Sequence, residues 1–293
     1  MADYAVFVLT YGRPDNVKTY NMLRESGYTG KIFLVCSSDD KRLSEYQAKY
    51  EDVIVFNKRE IELEIDTADN FKNYASVLYA RNACFRIAEQ LGYEYFIELD
   101  DDYGSIVYTV DHNYHWTSSS MKADRVKKLD EIFDLTFEYF KSGPFATLAY
   151  SQSGDWLGGG DKPHTMFDKL GARRKAMQIF FCSVKRPFDF IGTLNDDVNA
   201  YVKHGRTGKL FMTYPYLCVQ QMQTQSNAGG LTEIYKAMGT YAKSFYTVML
   251  SPSSVRVFAM QTSNTRLHHI IKWDRTVPMI IRESHRKVDK VGA

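Results

Sequence analysis

The 293-residue sequence predicts an α/β fold, a single domain whose mostly parallel central sheet is flanked by helices. Three observations predict it. Short β-branched and aromatic runs alternate with stretches of helical periodicity through the first hundred residues, the order that builds parallel sheets with crossover helices. Hydrophobic residues make up 44% and charged residues 25%, which is enough apolar mass for one sizeable core. No internal repeat or low-complexity linker divides the chain, so residues 1–293 read as one unit.

The strands are Ala5–Leu9, Ile32–Cys36, Val53–Phe56 and Tyr95–Leu99, each rich in the residue types that buried strands require. A first helix is opened by Pro14, carries Val17, Tyr20 and Leu23 at helical spacing, and stops at Gly27. Leu43–Tyr50 reads as a second short helix. Phe71–Leu91 is a third, with Val77, Leu78, Cys84, Ile87 and Ala88 in one apolar stripe and Gly92 at the C′ position. A further amphipathic helix covers Asp124–Ser142, with Val126, Leu129, Phe133, Phe137 and Phe140 inward and Gly143-Pro144 ending it. Ala146–Ala149 and Ile179–Val184 are strands, separated by a glycine-rich loop at Ser151–Lys162. Then follow an acidic turn at Asn195-Asp196-Asp197, a Gln-rich stretch at Gln220–Gly230, and two apolar segments, Tyr246–Leu250 and Val255–Met260.

Composition excludes several classes. No apolar run is long enough to span a membrane, and the N-terminus lacks the basic and small-residue features of a signal peptide. Cys36, Cys84, Cys182 and Cys218 are far apart and form no CxxC pair, so a zinc site is not expected of them. Reduced core thiols fit a cytoplasmic protein. Net charge is only +2, but residues 1–150 carry 17 Lys and Arg against 25 Asp and Glu, a balance of −8. Residues 151–293 carry 20 against 10, a balance of +10. A basic second half suits a polyanionic partner, because Lys and Arg displace counterions from phosphates.

In parallel sheets the ligand sits beyond the carboxyl ends of the strands, here Thr10–Arg13, Ser37–Asp40 and Asp100–Asp102. The sharpest of these is Glu98-Leu99-Asp100-Asp101-Asp102-Tyr103, where three adjacent acids repel one another. If the chain stays extended, Asp100 and Asp102 point the same way. Two oxygen-bearing side chains with open positions suit Mg²⁺ or Mn²⁺ bridging a diphosphate.

Tyr79-Ala80-Arg81-Asn82 precedes that run, and the whole stretch ARNACFRIAEQLGYEYFIELDDDY resembles the glycosyltransferases of GT-A (Rossmann-like) fold. The resemblance implies that residues 1–104 form a nucleotide-binding half and residues 105–293 an acceptor-binding half. It also implies a UDP-sugar donor, with UDP-glucose or UDP-GlcNAc expected, held around Arg81, Asn82, Asp100 and Asp101. Asp102 would ligate the metal, and Asp100 would contact the donor ribose, the metal or its water. Arg81 would meet the nucleotide or its phosphates, supported by Asn82. Thr10, Tyr11 and Arg13 would wrap the base and ribose, with Asp39 or Asp40 accepting from the uracil N–H. An acidic pair heads a helix in the inverting members, so Asp197, or else Asp196, would be the general base. A C-terminal histidine often completes the metal site; His268 or His269 is the candidate, at most one of them reaching it from a strand, and His285 is a weaker choice.

The run Thr224–Thr232, then Tyr235, Gly239-Thr240-Tyr241 and Lys243-Ser244-Phe245, together with Asn195-Asp196-Asp197 and His268-His269, resembles the TET-associated glycosyltransferase family from Phe7 to about Pro278. That family occurs largely in bacteriophage clusters beside thymine- or methylcytosine-oxidising enzymes, which implies a hydroxymethylated pyrimidine in DNA as acceptor and a host-cytoplasm setting. Lys236, Lys243, Arg256, Arg266 and Arg275 would then meet phosphates. Trp116, Trp156 and Gln220–Gln225 would serve a pocket for a flipped base, and Gly158–Gly160 a lid. Other readings are a GT-A enzyme acting on protein or glycan and an inactive DNA-binding module. A sugar nucleotidyltransferase is disfavoured because TYGRP is a poor phosphate loop.

Overall fold

Strands β1 (Tyr4–Leu9), β2 (Ile32–Ser37), β3 (Val53–Phe56) and β4 (Tyr95–Asp100) lie parallel in the order β3-β2-β1-β4. Helices α1 (Lys18–Glu25), α2 (Leu43–Lys49), α3 (Lys58–Glu62) and α4 (Leu78–Gln90) make the crossovers. The chain then adds β5 (Tyr103–Tyr108), α5 (Leu129–Ser142), β6 (Phe145–Gln152), β7 (Gln178–Ser183), α6 (Asp196–Gly205) and β8 (Leu210–Gln221). The eight-stranded sheet runs β3-β2-β1-β4-β7-β6-β8-β5, with β6 and β8 parallel and the contacts β4–β7, β7–β6 and β8–β5 antiparallel. A helix α7 over 242–250 leads to a separate antiparallel pair, β9 (Val255–Met260) and β10 (Arg266–Ile271). The computed structural model describes residues 3–68, 74–113, 123–152, 171–221, 242–260 and 266–287. The mostly parallel α/β sheet flanked by helices is the fold class read from the sequence.

The central strands are buried on both faces, which is why they read as continuous apolar runs rather than alternating ones. Alternate residues feed two cores. Phe7, Phe33, Phe96 and Phe180 pack on one side with Leu78, Cys84 and Ile87 of α4 and Val198 and Tyr201 of α6. Val6, Val8, Leu34, Ile97 and Phe181 pack on the other with Leu23 of α1 and Phe133, Phe137 and Phe140 of α5.

Four elements differ from expectation. Pro14 does not open α1: it lies in a turn closed by Asn16 N–H on the Arg13 carbonyl, and the helix starts at Lys18. Residues 124–128 are not helical, because Arg125 bridges Val107 and Val126 N–H bonds the Ile106 carbonyl, laying this segment along β5. Helix α4 begins at Leu78, with residues 74–77 of the expected helix in turns and 71–73 outside the described residues, and Gly92 takes φ +79° beyond its end as expected. Strand β6 extends through Gln152 into the stretch expected as loop, whose remaining residues lie outside those described. Strands β5 and β8 have no counterpart in the sequence reading. Pro215 disguises β8, since proline breaks a ladder; here the register against β6 jumps from Tyr214 opposite Tyr150 to Cys218 opposite Ser151, so the proline falls in an irregularity.

Candidate active site

Parallel β4, β6 and β8 end at one edge of the sheet, where antiparallel β5 and β7 begin, and the polar residues of the site collect there. Asp100 is the last residue of β4, paired with Leu9, and Asp101-Asp102 make a turn between β4 and β5 instead of continuing the strand. Thr19 of α1 causes this: its N–H bonds the Asp101 carbonyl at 3.1 Å, its hydroxyl donates to the Asp100 carbonyl at 2.5 Å, and it accepts from Tyr103 N–H at 3.0 Å. The three carboxylates therefore separate. Asp101 turns inward, 2% exposed, where it accepts from the Thr10 hydroxyl at 2.7 Å and pairs with Arg13 at 3.0 Å. Burial pushes its carboxyl up to about 6 against the pull of Arg13. Asp102 is half-buried and accepts on both oxygens from Gln221 Nε2, at 3.0 and 3.1 Å. Burial and then the nearby Asp100 raise its pKa, so an uncompensated negative charge is penalised there.

Asp100 belongs to a different group of contacts. Arg81 Nη2 reaches its two oxygens at 3.2 and 3.3 Å, while Arg81 Nη1 donates to Asp196 at 2.9 Å. The guanidinium is buried, with its centre 5.2 Å from the rings of both Phe180 and Phe190. Burial opposes its charge, but Asp196 and Asp100 outweigh that and hold its pKa well above the ordinary value. Arg81 thus joins the end of β4 to the head of α6, 115 residues on. Asn82 is occupied by backbone, donating to the Leu78 and Phe190 carbonyls and accepting from Phe190 N–H, so it braces α4 against the segment leading to α6.

At the head of α6, Asn195 adopts a left-handed conformation (φ +54°) and ties this corner to α7 through the Lys243 carbonyl and Thr247 hydroxyl. The chain enters through Gly192 at φ +82°, where an added Cβ would meet Asn199 Nδ2 at 2.8 Å. Asp196 is buried, and its carboxyl is pushed up to about 6 by burial against Arg81. Asp197 is half-buried and accepts only the local Val198 N–H among the bonds found for it, at 2.7 Å. Of the two acids, Asp197 is the less buried and Asp196 the one paired with Arg81.

The ends of β1, β2 and β3 form the other side. Tyr11 is 43% exposed, its ring 4.1 Å from Lys58 Nζ, and Lys58 pairs with Asp39 at 3.1 Å. Burial works against the Asp39 charge, but Lys58 and neighbouring donors hold its carboxyl below the usual range. Asp40 is committed elsewhere, accepting from the Gly12 and Arg42 N–H groups at 2.6 and 2.9 Å. A cleft of about 370 Å³ beside Asp39 is bordered by Ser38, Asn57, Lys58, Arg59 and Tyr74. Lys58 was missed from sequence, although it follows the carboxyl end of β3 and the same strand-end rule points to it.

His268 and His269 lie on β10, and their rings stack 4.6 Å apart instead of facing opposite ways. His268 Nε2 lies 3.3 Å from Lys175 Nζ. His269 is 3% exposed, neither ring nitrogen has a hydrogen-bond partner among the described residues, and burial followed by the cationic neighbours lowers its pKa to about 3. His285 is buried beside Lys209, Arg186 and Arg282, surroundings that do not suit a cation. Among the expected phosphate contacts, Arg256 and Arg275 are exposed. Trp116, Trp156, Gly158–Gly160, residues 222–225 and Lys236 lie outside the described residues.

The donor set fits a hard divalent cation. Asp100 and Asp102 offer carboxylate oxygens, whereas His269, like His285, has cationic neighbours, Lys175 and Lys243. Among the described residues no three His, Cys, Asp or Glu side chains converge as a ready-made metal group. Two carboxylates with the remaining positions left to substrate phosphates and water is the arrangement Mg²⁺ commonly takes in nucleotide-dependent enzymes.

The family model described as TET-Associated Glycosyltransferase matches residues 4–230, well over half of the chain. The match spans β1 through β8, including Arg81, the Asp100–Asp102 turn and the head of α6, and stops short of His268 and His269. No curated protein matches the chain. With the mostly parallel sheet and its carboxylate-lined edge, this match places the chain in the TET-associated glycosyltransferase family, and its activity is that of a glycosyltransferase.

Proposed function

We propose that this protein is a divalent-metal-dependent glycosyltransferase that moves glucose or N-acetylglucosamine from its UDP-sugar to the hydroxymethyl group of 5-hydroxymethyluracil or 5-hydroxymethylcytosine in DNA. The observation that carries the reading is Arg81, which brings the end of β4 and the acidic head of α6 to one place. Asp102 and Asp100 would hold Mn²⁺ or Mg²⁺. The cation, when bound, offsets the negative charge that grows on the departing diphosphate.

The remaining roles belong to side chains already oriented. Tyr11 offers an exposed ring face to the base, Asp39 an acceptor for the uracil N–H, and Thr10 and Arg13 stay tied to Asp101 beneath them. Asp197 takes the proton of the acceptor hydroxyl as that oxygen bonds to the sugar C1 and the C1–diphosphate bond breaks. Arg81 keeps Asp196 and Asp100 compensated, so that the acid needed for proton transfer is Asp197. The +10 balance of residues 151–293 and the exposed Arg256 and Arg275 support a phosphate-bearing acceptor. No helix among the described residues is long and apolar enough to cross a membrane. The reaction would take place in the cytoplasm, that of the host if the protein is phage-encoded.

Intact-mass analysis of oligonucleotides carrying either modified base, incubated with Mn²⁺ and each UDP-sugar, tests the reading. A hexose or N-acetylhexosamine mass gain identifies donor and acceptor together. UDP release without an adduct moves the acceptor to a protein or glycan. DNA binding with no UDP release from any donor leaves a binding module.

A further inference from the structure

A row of side-chain amides runs along the sheet edge away from Asp102. Gln221, the last residue of β8, donates Nε2 to both Asp102 oxygens. Its own Oε1 accepts from Gln178 Nε2 at 2.6 Å, from the first residue of β7. The same Gln178 nitrogen lies 3.3 Å from Gln152 Oε1, at the end of β6.

The direction of every amide in this row follows from one charge. A carboxylate accepts only, so Gln221 must present its NH₂ to Asp102. Its carbonyl then faces Gln178, which must donate in turn, and the second Gln178 hydrogen goes to Gln152. The consequence is visible at Gln178: the residue is 5% exposed and its Oε1 is buried with no hydrogen-bond partner among the described residues. An unmet buried acceptor is destabilising. Turning the Gln178 amide over would place its carbonyl oxygen against those of Gln221 and Gln152, and relieving that would require turning a carbonyl onto Asp102. The orientation that fixes Asp102 is kept at the expense of a satisfied Gln178.

We propose that Gln221, locked by Gln178 and Gln152, is a positioning residue that aims the Asp102 carboxylate at the divalent cation of the donor complex. The inference rests on Asp102 being a ligand of that cation. Partners that orient a ligand in this way typically change metal affinity 10–100-fold when removed.

The test is Mn²⁺ binding to the full chain in the presence of UDP, read by electron paramagnetic resonance of free Mn²⁺, with thermal unfolding as the check on folding. Gln221→Met, which keeps the length and removes the amide, is expected to weaken Mn²⁺ about tenfold or more. Gln178→Met is expected to weaken it less, and the double variant no more than Gln221→Met, because Gln178 acts through Gln221. Gln178→Met removes a buried unmet acceptor, so this variant keeps the question open to measurement even if Gln221→Met folds poorly. Asp102→Asn separates the two levels of the argument. Parent-like Mn²⁺ affinity in Asp102→Asn overturns Asp102 as a ligand, and the present inference with it. Lost affinity in Asp102→Asn with parent-like affinity in folded Gln221→Met and Gln178→Met overturns the positioning role alone. Equal, additive losses in the two glutamine variants also overturn it, since a relay does not add.

Discussion

Arg81 Nη1 sits 2.9 Å from Asp196 Oδ2, with both side chains 6% exposed, while the other guanidinium nitrogen holds Asp100. Removing one partner of a buried pair leaves an uncompensated charge and costs about 3–5 kcal/mol. Arg81→Ala strands two carboxylates at once, so it is expected to lose stability at least in that range by urea unfolding at pH 7. Arg81→Lys should recover only part of it, because one ammonium lacks the fork that serves both acids. A variant Arg81→Ala as stable as the parent would refute the bridging role.

The two acids at the head of α6 should respond differently to the same change. Among the described residues Asp197 has no ion pair and one local backbone bond, so Asp197→Asn should unfold like the parent. Its turnover should fall about 10²–10⁴-fold, the range for a lost general base. Asp196→Asn breaks the pair with Arg81 and should lower stability as well as rate. Steady-state turnover beside urea unfolding separates them: an Asp197→Asn protein with parent-like turnover shifts the base to another group.

Much of this site was legible in the sequence, and the rest was hidden for identifiable reasons. Strands β1 to β4 and the body of α4 are written in short-range patterns, so they were readable. The Asp100–Asp102 run was read at the end of β4, where Asp100 lies, but the turn at Asp101-Asp102 was not, because it is imposed by Thr19, more than eighty residues earlier in the chain. Arg81 was expected at phosphates; its partner Asp196 lies 115 residues away, and no local pattern announces such a pairing. Gln178 carries no motif at all. Its role appears only when β6, β7 and β8 are brought to one edge.

Asp102→Asn offers a direct contrast between function and stability. Burial and the neighbouring Asp100 both disfavour the Asp102 charge. Replacing it with a neutral isostere relieves that repulsion and leaves an amide that can still meet Gln221. The variant should therefore melt no lower than the parent in metal-free buffer, while metal-dependent turnover falls on the order of 10²–10³-fold, as for loss of a key electrostatic group. Melting scans with and without Mn²⁺ and UDP would show it, because the ligand-induced rise seen in the parent should be lost. A marked drop in the metal-free melting point would mean that Asp102 serves the fold and not the cation.

His204 provides a pH dependence with a defined direction. It is 7% exposed on α6, Nε2 lies 2.9 Å from the Asp189 carbonyl oxygen, and its ring is within 5° of parallel to that of Phe211. Burial lowers its pKa to about 4, with Asp189 pulling the other way. Because the folded value lies below the unfolded one of about 6.5, the unfolded chain binds the proton more readily between them. Its contribution to stability is therefore fully present above about pH 6.5 and is lost as pH falls toward 4, amounting to on the order of 3 kcal/mol. His204→Phe keeps the aromatic packing and removes the titration. Urea unfolding from pH 8 to pH 4.5 should show the parent losing stability more steeply than the variant by up to one proton, with His269 and His285 common to both. Parallel curves for the two proteins would mean that His204 does not change its protonation on unfolding, and that the buried neutral imidazole is not what opposes acid.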